Sequence, residues 1–494
     1  MFTAQSLVWL TLGGLLQLFG FGKRMIPATA WLVPVFLLHF MRTVDPLAGA
    51  LGIWLVLWIA LAVANRDVLR VPGVAYLGVT ALIAAALMLP YLADRLLAPQ
   101  LPGFASTLVF PLAWVTMELI SSRTNPLGTW GAVAYTQYGN LPLMQLASVA
   151  GIRGIAFLIA WFGSVANWMW GSDFDWAIVQ AGALLYAGVL GLALLYGGAR
   201  IAFAPPNIKT VRVAAIGWPE DILPVSKMMR VYAPALSDAE RESLRQSFGD
   251  LQHWFFENTR REARAGAKII LWPEGCLLVF KEDEAAFIDR AKQVARAEQV
   301  HLLMGLGNIR LGDPKPAENK AVLVNPSGEV AYTYIKNRPV PGFEASTTPV
   351  GDGQIRSEDT QYGRIASAIC YDLDFPDLIQ QVGRANADLF LVPASDWQTI
   401  GPLHFQIAVF RAIENGVAMV RATRWGLSGA VDAYGRTLAM MDHFTAQQRA
   451  MVAQVPMNGV GTIYARVGDL FAWLCVTGLI ASIGVGIYHL VSAR

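Results

Sequence analysis

Long uncharged stretches occupy both ends of the chain and enclose a charged middle block. Six of them are long enough to cross a hydrocarbon core of roughly 30 Å as helices, and two weaker ones extend the series. The six are 4–21, 46–64, 71–93, 154–172, 176–199 and 470–490, and the weaker two are 26–41 and 100–120. This pattern predicts about eight transmembrane helices, seven before the charged block and one after it. The first stretch lacks a small-residue cleavage site, which indicates a retained helix rather than a signal peptide.

The middle block alternates short apolar runs with amphipathic helices, and charges occur throughout it. Ser237 and Glu240 form a capping-box pattern before a helix, while 268–272 and 301–307 indicate buried strands and 320–336 a hairpin. Strands that are buried on both faces need helices to cover their sheets. The predicted fold class is therefore α + α/β. The predicted domains are an N-terminal membrane domain (1–207), an α/β domain (208–455), and a return segment with the last transmembrane helix (456–494).

Composition narrows the class of protein. A hydrophobic content of 55% with only 15% charged residues excludes an ordinary soluble protein. The net charge of +2, together with the absence of a phosphate loop and of clustered basic and aromatic residues, indicates no nucleic-acid partner. The three cysteines, Cys276, Cys370 and Cys475, are too widely spaced for a disulfide framework or a zinc site. We expect no metal and no cofactor.

Three predicted strand ends in the middle block carry a reactive side chain. Glu274 stands in LWPEG, Lys336 in TYIKNRPVPGFE and Cys370 in AICYD. The ends of buried strands are where α/β folds expose functional groups. A cysteine nucleophile needs a base or a positive neighbour, and a lysine can also stabilise an oxyanion. Together the three indicate acyl-transfer chemistry, although an isolated cysteine at a strand end is more often a small buried hydrophobe.

The order WPEG, YIKNRPVPGFE and AICYDLDFP resembles the nitrilase (carbon–nitrogen hydrolase) superfamily. Its Glu–Lys–Cys triad lies in an αββα sandwich, so the resemblance implies that fold for 208–455. It also implies roles for the three residues: Glu274 as general base, Lys336 as stabiliser of the intermediate and Cys370 as nucleophile.

Four more residues are candidates for supporting roles. The resemblance implies that the amide of Tyr371 completes an oxyanion hole and that Glu344 orients the amine or the lysine. Asp372 is expected to position the cysteine turn. His404, on a predicted helix, is interpreted as a hydrogen-bonded structural histidine, with substrate contact as the alternative.

Placing such a domain before the last of about eight spans resembles the apolipoprotein N-acyltransferases. Further segments similar to that family are 125–157, 400–432 and 461–470. The resemblance implies a bacterial inner-membrane enzyme with its catalytic domain on the periplasmic face. It implies transfer of a fatty acyl chain from a phospholipid, through a thioester at Cys370, to the N-terminal amine of a lipoprotein. No dimer seam is evident among the predicted spans, so a monomer is expected.

Several alternatives stay open. The first is a membrane-tethered amidase, in which water replaces the amine, and the sequence CYDLDFP slightly favours it. The second is a non-catalytic sensor or scaffold, which the intact triad disfavours. The run 276–280 is either an acyl-contacting loop or an edge strand. Glu118 and Arg153 are either functional groups, side chains that snorkel to the membrane interface, or an ion pair. The positive-inside tendency favours the opposite sidedness, because six cations would occupy short loops on the domain's side: Lys23, Arg24, Arg66, Arg70, Arg123 and Arg153.

Overall fold

The structure, a computed structural model, describes residues 3–206, 209–219, 221–232, 236–447 and 449–492. The chain divides into two compact units. A helical unit comprises Met1–Ala204 and Val467–Arg494, and the second unit comprises Pro205–Arg466. The second unit is called the catalytic unit below, after the role that the resemblance implies for it. The domain limits drawn from the sequence stay a prediction.

The helical unit is built from long apolar helices joined by short polar turns. Asp45 and Asp175 begin two of them, since each carboxylate accepts a backbone N–H of the first helical turn. The helices are α1 Ala4–Gln17, α2 Pro27–Thr43, α3 Pro46–Ala64, α4 Gly73–Leu97, α5 Val109–Thr124, α6 Leu141–Met144, α7 Ala147–Gly171 and α8 Trp176–Ala202. The last helix of the chain, Leu470–Ser492, also belongs to this unit.

Among the described residues, six helical segments are long and apolar enough to cross a membrane. They are Pro46–Ala64, Gly73–Gln100, Gly103–Thr124, Ala147–Gly171, Trp176–Ala202 and Leu470–His489. Exposed leucines such as Leu82 and Leu195 lie on these helices, where a helix facing water would carry polar side chains. Several membrane helices are therefore confirmed.

The count of eight spans is not confirmed. The first two predicted spans do form helices, but α1 has 14 residues and α2 has 17. At 1.5 Å per residue they are about 21 and 26 Å long, shorter than a hydrocarbon core of roughly 30 Å.

A buried ion pair joins α5 and α7 inside the helical unit. Arg153 donates to the Glu118 carboxylate at 2.6 Å and to Ser122 Oγ at 2.8 Å. The other Glu118 oxygen accepts from Trp114 Nε1 at 3.1 Å and from the Val133 amide at 3.0 Å. The ion-pair alternative is thus the one that the structure shows. Arg153 lies inside α7 and not in a loop, so its assignment to a loop was wrong.

The described residues of the catalytic unit form two β-sheets. The first has the order β13-β1-β2-β4-β5-β6 with β3 beside β4, and the second has the order β12-β11-β10-β9-β8-β7. The strands are β1 Thr210–Ile216, β2 Ile269–Leu271, β3 Leu277–Phe280, β4 His301–Ile309, β5 Ala317–Val324, β6 Val330–Ile335, β7 Arg356–Thr360, β8 Gly363–Ser367, β9 Leu389–Ser395, β10 Ala418–Arg424, β11 Leu427–Val431, β12 Thr437–Asp442 and β13 Ala450–Pro456. The helices are α9 Val225–Met228, α10 Asp238–Arg264, α11 Glu284–Glu298, α12 Phe343–Thr347, α13 Pro376–Arg384, α14 Gly401–Asn415 and α15 Ile463–Val467, and the last helix of the chain, Leu470–Ser492, is α16.

These elements form four layers. Helices α10 and α11 pack on the first sheet, α14 packs on the second beside α13, and the sheets contact each other through β1 with β10 and β4 with β9. Every residue of β4 and β10 is buried, as expected for strands covered on both faces. The αββα sandwich predicted for this unit is confirmed.

Most of the local structures that the sequence predicts within the catalytic unit are present in the structure. Ser237 and Glu240 form the capping box that begins α10, and the hairpin predicted at 320–336 is the antiparallel pair β5 and β6. The run 276–280 lies in β3, which is buried and pairs with β4. Its residues 277–280 thus form a buried strand and not a loop, which is the alternative of a strand-edge core segment.

Candidate active site

Glu274, Lys336 and Cys370 each follow a strand of the catalytic unit. Glu274 follows β2, Lys336 follows β6, and Cys370 follows β8 at the start of the 3-10 turn Cys370–Asp374. All three are buried, with exposed fractions of 5%, 1% and 5%. The two sheets thus bring three distant segments of sequence to one interior site.

Lys336 is the centre of a carboxylate cluster. Its Nζ donates to Glu274 Oε1 at 2.7 Å and to both carboxylate oxygens of Glu344 at 2.8 Å. Asn319 bridges the same carboxylates, because its Nδ2 donates to Glu274 at 2.7 Å and to Glu344 at 2.8 Å. Burial opposes the charge of Lys336, but the two glutamates outweigh it and raise the pKa of the lysine well above its usual value. Lys336 is therefore a fixed cation and an electrostatic stabiliser, and it is unsuited to act as a base.

Glu344 lies in the first turn of the short helix α12, and it also fixes the loop before that helix. One of its oxygens accepts from the Val340 amide at 2.8 Å. Burial acts to raise the pKa of this carboxyl, but Lys336 outweighs that effect and the pKa is lowered. The structure therefore places Glu344 beside Lys336 as a second negative partner.

The position of Glu274 depends on close packing of the first sheet. Its amide donates to the Ala394 carbonyl at 3.2 Å. Gly305 of β4 lies so near that a Cβ there would stand 2.3 Å from the Pro273 carbonyl oxygen and 2.8 Å from Glu274 Cα. Only glycine allows this approach without displacing the backbone of the catalytic strand end.

Cys370 sits on a sharp bend with φ of 48°, a left-handed conformation that is uncommon outside glycine and is typical of functional sites. Its thiol donates to the Ser395 carbonyl at 3.5 Å. Burial and the charge of Glu274 raise the pKa of the thiol, while His404 and Lys336 oppose the rise. Because a raised pKa leaves the free thiol largely protonated near neutral pH, a base is needed when it attacks.

Asp372 holds this bend to neighbouring segments. One carboxylate oxygen accepts from the Ile369 amide at 3.0 Å and the Tyr334 hydroxyl at 2.7 Å. The other accepts from the amides of Asn337 at 3.2 Å and Arg338 at 2.8 Å. Burial raises the pKa of Asp372 to about 6. The carboxylate therefore ties the cysteine turn to the segment that follows Lys336.

Tyr371 is buried, and its ring packs edge-on against Phe375 with centroids 5.5 Å apart. Burial raises the pKa of its phenol above the usual value, so the side chain is neutral. Its amide directly follows Cys370 in the chain, and its role in an oxyanion hole stays a prediction.

A second buried network, which the sequence reasoning largely missed, lies beside the thiol. His404 on α14 contacts Asp396 through Nδ1 at 2.9 Å and Asp374 through Nε2 at 3.0 Å. Arg421 forms a two-pronged pair with Asp396 at 2.8 and 2.9 Å. Two signals were available: Asp396 follows a strand end just as Glu274 does, and Arg421 interrupts the apolar run VAMVRAT. The structure shows that His404 is hydrogen-bonded on both ring nitrogens.

One set of donor types in the described chain is compatible with a metal ion. Donor atoms of Cys370, Asp396 and His404 all lie within 4.8 Å of one another. Both ring nitrogens and both Asp396 oxygens, however, already contact protein partners. A metal ion here would displace Arg421 or Asp374, so these residues fit an ion-pair network better than a metal site.

Both units are similar to known protein families. Residues 248–465 match the carbon-nitrogen hydrolase family, and residues 13–165 match the apolipoprotein N-acyltransferase N-terminal domain. An apolipoprotein N-acyltransferase of Geobacter metallireducens is 27% identical, with 94% of this chain and 92% of that protein covered. One of Pseudomonas aeruginosa is 27% identical, with 82% and 79% covered.

Among solved structures, an amidase from Nesterenkonia sp. aligns with 53% of this chain and 94% of its own, at 19% identity and a TM-score of 0.41. The two family matches lie in one chain, in the order that the resemblance implied. The chain is therefore an apolipoprotein N-acyltransferase-like protein of the nitrilase superfamily.

Proposed function

We infer that this chain is a lipoprotein N-acyltransferase. It moves a fatty acyl chain from a membrane phospholipid, through a thioester on Cys370, to the N-terminal amine of a lipoprotein. The observation that carries the inference is the pairing, in one chain, of an acyltransferase-type N-terminal region with a hydrolase domain whose lysine contacts two carboxylates. An amidase needs no such helical region.

The first half-reaction charges the enzyme. Glu274 takes the proton of the Cys370 thiol, and the sulfur attacks the carbonyl carbon of a phospholipid ester. Lys336 and the Tyr371 amide stabilise the oxyanion of the tetrahedral intermediate. The carbon–oxygen bond then breaks, Glu274 returns the proton to the departing alkoxide, and a lysophospholipid leaves. A thioester remains on Cys370.

The second half-reaction releases the acyl chain. The neutral N-terminal amine attacks the thioester carbonyl, and Glu274 takes a proton from the nitrogen. The carbon–sulfur bond then breaks to give an amide, and Glu274 returns the proton to the departing sulfur, which restores the free thiol of Cys370. Glu344 keeps Lys336 in place during both steps. A thioester suits this role because it is activated toward amines while the chain stays bound.

The setting of the reaction follows from the same inference. We place the protein in the bacterial inner membrane, with α1 and α2 completing eight spans and the catalytic unit on the periplasmic side. The enzyme acts as a monomer on substrates that stay in the bilayer. Each buried CH₂ contributes about 0.8 kcal/mol, so moving a long acyl chain into water would cost on the order of 10 kcal/mol.

The test is intact-mass spectrometry of the detergent-purified protein after incubation with a phospholipid. We expect a hydroxylamine-sensitive gain in mass equal to one acyl chain. The gain should be absent in Cys370→Ala and present in Cys475→Ala, since Cys475 is a buried cysteine of α16. A synthetic lipopeptide with a free N-terminal amine should then discharge the thioester and gain the chain. Loss of the thioester at the same rate with and without peptide would favour the tethered amidase, and no acylation at all would refute the phospholipid donor.

A further inference from the structure

The charge balance around Cys370 is unusual for a site that must form a thiolate. Four buried carboxyl groups and one partly buried carboxyl group, Glu344, surround the reactive centre, against three fixed cations. The carboxyl groups are Glu274, Glu344, Asp372, Asp374 and Asp396, and the cations are Lys336, Arg421 and Arg424. Without another cation, the site repels the negative charge that the reaction requires at sulfur.

The geometry of His404 supplies that cation. Both of its ring nitrogens face carboxylate oxygens, at 2.9 and 3.0 Å. A neutral imidazole has one donor and one acceptor, so one ring nitrogen would point a lone pair at a carboxylate, whereas an imidazolium donates to both. Burial acts to lower the pKa of His404, but Asp374 and Asp396 outweigh it and raise the pKa well above the usual value. His404 is therefore held in its charged form.

His404 also lies against the nucleophile. Its donor atom, the Cys370 sulfur and a carboxylate oxygen of Asp396 fall within 4.8 Å of one another. At that separation, inside a buried site, a unit charge has a large effect on the protonation of a neighbouring group. Arg421 also donates to both carboxylate oxygens of Asp396, so a movement of the imidazolium that displaces Asp396 would disturb a second ion pair.

We propose that His404 is a positioning residue of the acyl-transfer site: an imidazolium clamped between Asp374 and Asp396 that stabilises the Cys370 thiolate without exchanging protons with it. Glu274 remains the base, and His404 keeps both of its protons through the cycle. The proposal rests on the proposed function only in taking Cys370 as the nucleophile.

The experiment measures the rate of Cys370 alkylation by iodoacetamide between pH 5 and pH 12, by mass spectrometry of the full-length protein in detergent, so that the plateau above the raised thiol pKa is reached. Cys370→Ala supplies the background from Cys276 and Cys475, which are buried. We expect His404→Gln to shift the midpoint of the rate profile upward by about one pH unit or more, which is a tenfold smaller thiolate fraction below the midpoint. The plateau at high pH should be kept, because the nucleophile itself is intact.

The matched control is His301→Gln. His301 is a buried histidine of β4 in the same unit, and burial lowers its pKa to about 4, so it carries no charge at neutral pH. Its replacement should leave the midpoint unchanged. A His404→Gln profile scaled down equally at every pH would indicate a purely structural role and overturn the proposal.

The wild-type profile is a second test that does not depend on the variant's folding. If His404 stays charged up to the thiol's midpoint, the profile shows no titration step of the imidazole. Asp372, with a pKa of about 6, titrates in the same range, so the profile is also recorded for Asp372→Asn. A second inflection between pH 6 and pH 7 that persists in Asp372→Asn and disappears with His404→Gln would mean that the imidazole titrates freely and would overturn the proposal. If His404→Gln does not fold, an inflection that persists in Asp372→Asn would overturn it. Acyl transfer does not enter either measurement, so the outcome is independent of whether the proposed acceptor is correct.

Discussion

At the scale of single residues, the active site depends on a few buried side chains that each satisfy several partners. Lys336 contacts two carboxylates, and Asp372 accepts four hydrogen bonds that join the Cys370 turn to the segment after Lys336. Buried polar groups of this kind are costly to disturb, because a lost partner leaves a desolvated donor or acceptor unpaired. Substitutions that conserve shape should therefore have measurable effects.

Asp372→Asn tests this and has a defined pH dependence. The asparagine NH₂ would face hydrogen-bond donors, so the free energy of unfolding should fall by about 1–3 kcal/mol. We therefore expect a lower midpoint of thermal unfolding and slower acylation of Cys370. Burial raises the folded-state pKa of Asp372 to about 6, above its ordinary value of 3.8. Its contribution to stability is thus full below 3.8 and is lost as pH rises through 6. The stability gap between wild type and variant should be wider at pH 5 than at pH 7.5.

The control for that measurement is Asp359→Asn on β7. Asp359 is exposed, and its hydrogen bond with Arg364 lowers its pKa. Its stability contribution is lost only as pH falls below the usual aspartate range, so its gap should stay constant between pH 5 and pH 7.5. If the stability difference between wild type and Asp372→Asn were also constant over this range, it would contradict the raised pKa of the buried Asp372 carboxyl.

At the scale of elements, the sequence was informative wherever a pattern is local. The alternation of apolar runs and capped helices predicted α10, β4 and the hairpin of β5 and β6, because capping residues and turn residues act within a few positions. The strand-end rule found Glu274, Lys336 and Cys370. It did not find Asn319, whose position inside β5 carries no distinguishing pattern, and whose role depends on two carboxylates 45 positions before and 25 positions after it.

Gly305→Ala tests whether β4 positions Glu274. The new Cβ would stand 2.3 and 2.8 Å from backbone atoms of Pro273 and Glu274, so the strand end must shift. We expect the free energy of unfolding to fall by about 1–3 kcal/mol. We expect slow thioester formation although no charged group changes. Gly249→Ala in α10 is the control, since no heavy atom lies within 4 Å of its Cβ position. Normal thioester formation in Gly305→Ala would show that Glu274 does not depend on this contact.

At the scale of the whole molecule, the number of spans and the side of the catalytic unit are separate questions. Five of the six candidate spans precede the catalytic unit. The pair α1 and α2 either crosses the membrane twice or does not cross it, so the choice between six and eight spans leaves the predicted sidedness unchanged. The count of loop cations is one smaller than the sequence suggested, since Arg153 lies inside α7, buried against Glu118.

Labelling of single cysteines in intact cells by a membrane-impermeant maleimide decides both questions. The background is a variant with all three native cysteines replaced by alanine, and the new cysteines replace exposed residues: Arg24 between α1 and α2, Asp173 between α7 and α8, and Arg356 on β7. Eight spans with a periplasmic catalytic unit predict labelling at 24 and 356, and labelling at 173 only after permeabilisation. Protection at 24 with labelling at 356 would mean that α1 and α2 do not cross. Labelling at 173 alone would reverse the sidedness, in agreement with the positive-inside tendency.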